Sequence, residues 1–140
     1  MGKKIILFDF DGVIVDSLGV ALKTQQTFEP ALTESEMRKR FEGNIKEYYD
    51  NQQKNPQSSL SKTNEEEYYN AYIPAFMSCP LFGGMAEVIK NLKADGYLLV
   101  IVSSTITSPI REYLSKYNLT HYFTEIMGGD VHSSKVEKIK

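Results

Sequence analysis

The most constraining stretch of this chain is its start, where Ile5-Ile6-Leu7-Phe8 runs apolar without alternation and stops at Asp9-Phe10-Asp11-Gly12. A short apolar run with no polar face suits a strand covered on both sides, the kind that sits centrally in a parallel sheet. Two acids and a glycine directly after it are turn chemistry, so the strand ends in a loop there. Carboxylates two positions apart lie on the same side of the chain and reach one reacting centre. Ligands of parallel α/β sheets gather outside the carboxyl ends of the strands, which makes Asp9 and Asp11 the first candidates for chemistry.

Two further apolar runs read as strands, Tyr97 to Val102 before Ser103-Ser104-Thr105, and Phe123 to Met127 before Gly128-Gly129-Asp130. A helix precedes the first of them, with Met85, Val88, Ile89 and Leu92 on one face and Gly96 as its end. A second follows it, with Ser108 as cap, Pro109 at the first position and Asn118 as the stop. Ser134 and Glu137 open one more helix at capping-box spacing. Strand and helix in alternation predict an α/β fold, a doubly wound parallel sheet with right-handed crossovers.

Residues 18–78 interrupt this pattern with polar, Gln- and Glu-rich segments of helical spacing. Thr33 with Glu36, and Thr63 with Glu66, stand at capping-box spacing and mark two helix starts. Two more helices are predicted over 18–28 and 44–53, with Asn55-Pro56-Gln57-Ser58-Ser59 as a loop. The domain assignment is therefore a core of residues 1–17 and 79–140 and a small all-helical insertion of residues 18–78. Tyr48, Tyr49, Tyr68, Tyr69 and Tyr72 in the insertion are packing residues, and Asp130, His121 and His132 are turn, cap or surface residues.

Composition excludes several function classes. With 16 Lys and Arg against 18 Asp and Glu, the net charge of -2 offers no broad basic face for nucleic acid or anionic lipid. The single cysteine, Cys79, rules out an internal disulfide, and with no Cys/His cluster near His121 or His132 it rules out a zinc site of ordinary spacing. No run approaches membrane-spanning length and the N-terminal apolar stretch is too short for a signal sequence, so the expected setting is cytoplasmic.

Phe8-Asp9-Phe10-Asp11-Gly12-Val13-Ile14-Val15-Asp16-Ser17, then Ile101-Val102-Ser103-Ser104, then Lys135, resemble the three leading motifs of the haloacid dehalogenase superfamily, in its phosphatase and phosphomutase branch with an inserted helical cap. The resemblance implies catalysis by Asp9, Asp11, Ser103 and Lys135. Asp9 would attack phosphorus and become an aspartyl phosphate, while Asp11 would protonate the leaving oxygen and later deprotonate water. It also implies Mg2+ between the Asp9 carboxylate and a phosphate oxygen, with the Asp11 carbonyl as a further ligand. Ser103 would donate a hydrogen bond to the transferring group and Lys135 would offset its charge. Turn amides at Phe10 and Gly12 and the amide of Ser104 can donate to the same phosphate oxygens as an anion nest.

The function so implied is a magnesium-dependent phosphatase acting on a small phosphorylated metabolite. A phosphomutase of the same family shares every motif, and Arg38, Arg40 and Lys46 are its candidate second-phosphate cations. A third alternative is a catalytically silent remnant that binds a phospho-ligand or a partner protein. The family's fourth, acidic motif follows a strand beside the Asp9 strand, and the sequence stops before it. The expectation is a fragment of a longer protein, or a truncated product that forms a homodimer or swaps segments through an open sheet edge, with weak metal affinity and low or absent turnover.

Overall fold

The computed structural model describes residues 2–42, 45–54 and 65–130. The chain divides into two compact units, residues 1–16 with 79–140, and residues 17–78.

In the first unit, β1 (Ile5–Phe8), β2 (Leu98–Val102) and β3 (Phe123–Met127) form a parallel sheet in the order β1-β2-β3. Between the strands run the helices α5 (Met85–Ala94) and α6 (Thr107–Lys116) and a 3-10 turn at Thr120–Tyr122. The α/β parallel-sheet fold read from the sequence is the fold found. Leu99, Val100, Ile101 and Val102 of the central strand are all buried, and each such side chain contributes about 1.5–3 kcal/mol by leaving water. Pairing of β2 with β3 shifts register between Leu99 and Val100. Thr124 and Glu125 are accordingly both exposed where strict alternation would bury one of them.

Among the described residues β1 pairs with β2 alone and keeps the open edge expected of it, but it is not covered on both faces as its apolar run suggested. Its residues Ile5 and Leu7 remain 58% and 49% exposed.

Both helices of this unit end as their sequences dictate. Gly96, at φ 91°, closes α5 with its N–H on the Lys93 carbonyl while the Tyr97 N–H reaches the Leu92 carbonyl. Asn118, at φ 56°, closes α6 through the same pair of bonds, Asn118 N–H to Ser115 and Leu119 N–H to Leu114. These are Schellman ends, in which a left-handed residue satisfies the last carbonyls. The start of α6 differs from the expected Ser108–Pro109 boundary. Thr107 already begins the helix, since its N–H and its hydroxyl both donate to Asp130 Oδ1 at 2.8 and 2.7 Å. Pro109 then sits within the first turn, where a missing N–H costs nothing.

The second unit contains α1 (Leu18–Gln26), α2 (Glu34–Phe41), α3 (Ile45–Lys54) and α4 (Glu65–Met77). The Thr33 capping box is formed in full: the Glu36 N–H donates to Thr33 Oγ1 and the Thr33 N–H donates to Glu36 Oε2. Its counterpart at Thr63 lies outside the described residues. Helix α4 contains Pro74, which leaves the carbonyl one turn back without its usual partner. Packing sustains the helix despite this, for Tyr68, Tyr72 and Phe76 stack at one-turn spacing with centroids 5.4 and 5.3 Å apart, and Tyr72 and Phe76 are buried. Glu29 and Arg40 form a bidentate pair at 2.6 and 2.8 Å with only 13% of either side chain exposed. Among the described residues, no helix is long and apolar enough to cross a membrane.

Candidate active site

Phe8 is paired with Ile101, so the segments after β1 and β2 leave the same carboxyl edge of the sheet. That places the Asp9–Asp16 loop beside the Ser103–Thr107 loop. The first loop is wound about one carbonyl: the oxygen of Phe10 accepts from the N–H groups of Val13, Ile14 and Val15 at 3.2, 2.9 and 3.2 Å. The buried side chains of Phe10, Ile14 and Val15 anchor it, with Phe10 edge-on to Tyr113 at 5.5 Å between centroids. Asp16 N–H to Pro80 and Phe82 N–H to Ile14 tie its far end to the chain before α5. A loop held at both ends and plugged with an aromatic ring keeps its acids in a narrow range of positions.

Asp9 and Asp11 are both partly exposed beside buried neighbours. Asp9 Oδ1 accepts from the Phe10 N–H at 2.7 Å. Asp11 Oδ2 accepts from the hydroxyl of Thr105 at 2.7 Å, which links the two loops directly. Ser103 is buried; its N–H donates to the Met127 carbonyl at 3.0 Å and its Oγ accepts from the Thr105 N–H at 3.1 Å. Ser104 is partly exposed on the same turn. The Gly12 N–H donates to the Val15 carbonyl at 2.9 Å. Lys135 and His132, and the helix start at Ser134, lie outside the described residues. Asp130 holds the start of α6 through Thr107, where the sequence points to Ser108 as the cap.

Thr105 is the residue that sequence reasoning missed. The available signal was its place two residues beyond Ser103, on the same side of an extended chain leaving a buried strand. A third turn makes the arrangement stiff. Gly129 N–H donates to the Thr105 carbonyl at 2.8 Å and Gly128 N–H donates to Thr107 Oγ1 at 3.0 Å. The close approach demands glycine, because a Cβ on Gly129 would meet the Ser104 carbonyl oxygen and one on Gly128 would meet the Thr107 nitrogen.

Cys79 is buried and in no disulfide, and its backbone carbonyl accepts from the buried Tyr113 hydroxyl at 2.8 Å. Burial pushes its thiol up, with Asp16 and Asp11 adding to the effect, which disfavours the thiolate. Burial likewise pushes up the Tyr113 phenol, aided by its hydrogen bond with Tyr117.

Among the described residues, no three His, Cys, Asp or Glu side chains gather into a cage for a metal. The oxygens of Asp9 and Asp11 nevertheless fit one kind of ion. A small hard divalent cation is commonly held by one or two carboxylates, with water and substrate phosphate completing its shell.

A model of the haloacid dehalogenase-like hydrolase family matches residues 6–139. A phosphoglycolate phosphatase of Aquifex aeolicus (strain VF5) is 26% identical over 139 residues, an alignment covering 94% of this chain and 63% of that protein. A phosphoglycolate phosphatase of Aliivibrio fischeri (strain ATCC 700601 / ES114) is 31% identical over 55 residues, covering 39% of this chain and 24% of that one. The chain thus spans less than two thirds of the length of these relatives. Among solved structures, a candidate haloacid dehalogenase-like hydrolase from Bacteroides fragilis superposes with a TM-score of 0.71 at 20% identity, covering 94% of this chain and 65% of that one. A mutant of CbbY from Rhodobacter sphaeroides, solved with xylulose bisphosphate, gives 0.67 at 18% identity, covering 95% and 66%. At such identities the likeness is one of fold.

Proposed function

The chain belongs to the haloacid dehalogenase-like hydrolase family, and from that premise we propose that it carries the catalytic core of a phosphatase acting on a small phosphorylated metabolite. A carboxylate oxygen of Asp9 attacks the substrate phosphorus in line, so that an Asp9–phosphorus bond forms as the bond to the leaving oxygen breaks. Asp11, protonated at that moment, gives its proton to the leaving oxygen. A water molecule then attacks the aspartyl phosphate and loses a proton to Asp11, and inorganic phosphate departs. Ser103 donates to the transferring group, Ser104 and the turn at Phe10 and Gly12 bind its oxygens, and Lys135 offsets its charge. Asp9 and the Asp11 carbonyl would hold a divalent cation, which we assign as Mg2+, and it would supply charge neutralisation.

The observation that supports this most is the 2.7 Å bond from Thr105 to Asp11, which ties the acid pair after β1 to the serine turn after β2. We take phosphatase over phosphomutase from the names of the two relatives, both phosphoglycolate phosphatases. Within the helical unit Arg38 is paired with Glu34 at 2.7 Å and Arg40 with Glu29. A cytoplasmic setting belongs to the same proposal.

The test is hydrolysis of p-nitrophenyl phosphate and of phosphoglycolate, the latter because the two phosphatase relatives bear its name. With magnesium the protein should release phosphate and take up a beryllofluoride adduct at Asp9. Asp9→Asn should abolish the adduct and cut turnover roughly ten-thousand-fold. A wild-type protein that binds no beryllofluoride and hydrolyses neither ester would overturn the proposal.

A further inference from the structure

We propose that Thr105 is the positioning residue that aims the Asp11 carboxylate, an inference that rests on the proton-shuttle role given to Asp11 above. Thr105 is buried and bonded through each of its polar groups. Its N–H donates to Ser103 Oγ at 3.1 Å, its carbonyl accepts from the Gly129 N–H at 2.8 Å, and its hydroxyl donates to Asp11 Oδ2 at 2.7 Å. The backbone bonds fix where the Cβ stands, and β-branching then restricts χ1, so the hydroxyl has one favoured direction. That direction ends on Asp11, 94 residues earlier in the chain.

A group that gives and then takes a proton needs its two carboxyl oxygens in different surroundings. Oδ2 is held by a fixed donor, which directs Oδ1 to the reacting atoms. An ionised carboxylate accepts such a bond strongly, and a buried donor without its acceptor is costly, so each partner holds the other in place. Ser103 enters the same unit from the other side. Its Oγ accepts the Thr105 N–H, so the serine turn and the carboxylate that moves protons are registered through one residue.

The test compares Thr105→Val, which keeps the shape and loses the donor, with Thr105→Ser, which keeps the donor and loses the stiffness. NMR coupling constants that report χ1 of Asp11 should show one rotamer in the wild type, averaging in Thr105→Val and a single rotamer again in Thr105→Ser. In steady-state kinetics Thr105→Val should lower kcat about 10- to 100-fold with KM changed less than about threefold, and Thr105→Ser should recover most of the loss. An Asp11 rotamer unchanged by Thr105→Val, or equal losses in both variants, would overturn the proposal. If Thr105→Val does not fold, the wild type decides. A slowly exchanging Thr105 hydroxyl proton that is lost in Asp11→Ala supports the bond, and its absence in the wild type overturns it. A wild type that neither turns over nor binds beryllofluoride refutes the phosphatase and leaves the rotamer comparison to judge Thr105.

Discussion

Gly129 has no room for a side chain, and the reason lies in the turn after a different strand. Its N–H reaches the Thr105 carbonyl, and this approach brings its backbone against the Ser104 carbonyl. A methyl group there must displace backbone, which yields far less readily than the end of a flexible side chain. Gly129→Ala should therefore lower stability by about 1–3 kcal/mol and move the Ser104–Thr105 segment. Urea denaturation would read the first effect, and amide shifts at Ser103, Ser104 and Thr105 the second. Unchanged stability and unchanged shifts would mean that the two turns are not in contact.

Among the elements, α2 carries the clearest electrostatic signature. Glu36 is held below the ordinary carboxylate value of 4.5 first by the backbone N–H of Thr33, then by the Thr33 hydroxyl, with Arg40 and Lys39 adding smaller attractions. A carboxylate whose folded value is lowered stabilises the folded state in full above its unfolded value and loses that effect as pH falls through the lower folded value. The melting temperature of Glu36→Ala should thus lie below that of the wild type at neutral pH, and the gap should close as pH drops past 4.5. A gap of constant size through the acid range would show that the carboxylate is not what caps the helix. Start and stop signals of this kind work within a turn of chain, which is why Thr33, Gly96 and Asn118 were legible in advance. The start of α6 was not, because its cap is Asp130, contributed from 23 residues away.

At the scale of the whole molecule, the first unit is organised, among the described residues, around the one strand flanked on both sides. Ile101 is fully buried in β2 and paired with Phe8 and Ile126 across the sheet. Ile101→Ala should cost about 2–5 kcal/mol through lost burial and the cavity left behind, and chemical denaturation measures it. A cost under about 1 kcal/mol would mean that β2 is not the centre of this core. Apolar runs without alternation, the Asp9–Asp11 pair and the hydroxyl turn at Ser103 were enough to determine a parallel α/β sheet with both of those turns at its carboxyl edge. These signals are local, written in periodicity and in the conformations that Gly, Asn and Asp permit. The register shift between β2 and β3, that Glu29 takes Arg40, and that Thr105 takes Asp11 were decided only by tertiary structure. Each of those depends on which distant groups a packed chain brings within hydrogen-bond reach, and a bond spanning 94 residues leaves no trace in the spacing of either partner.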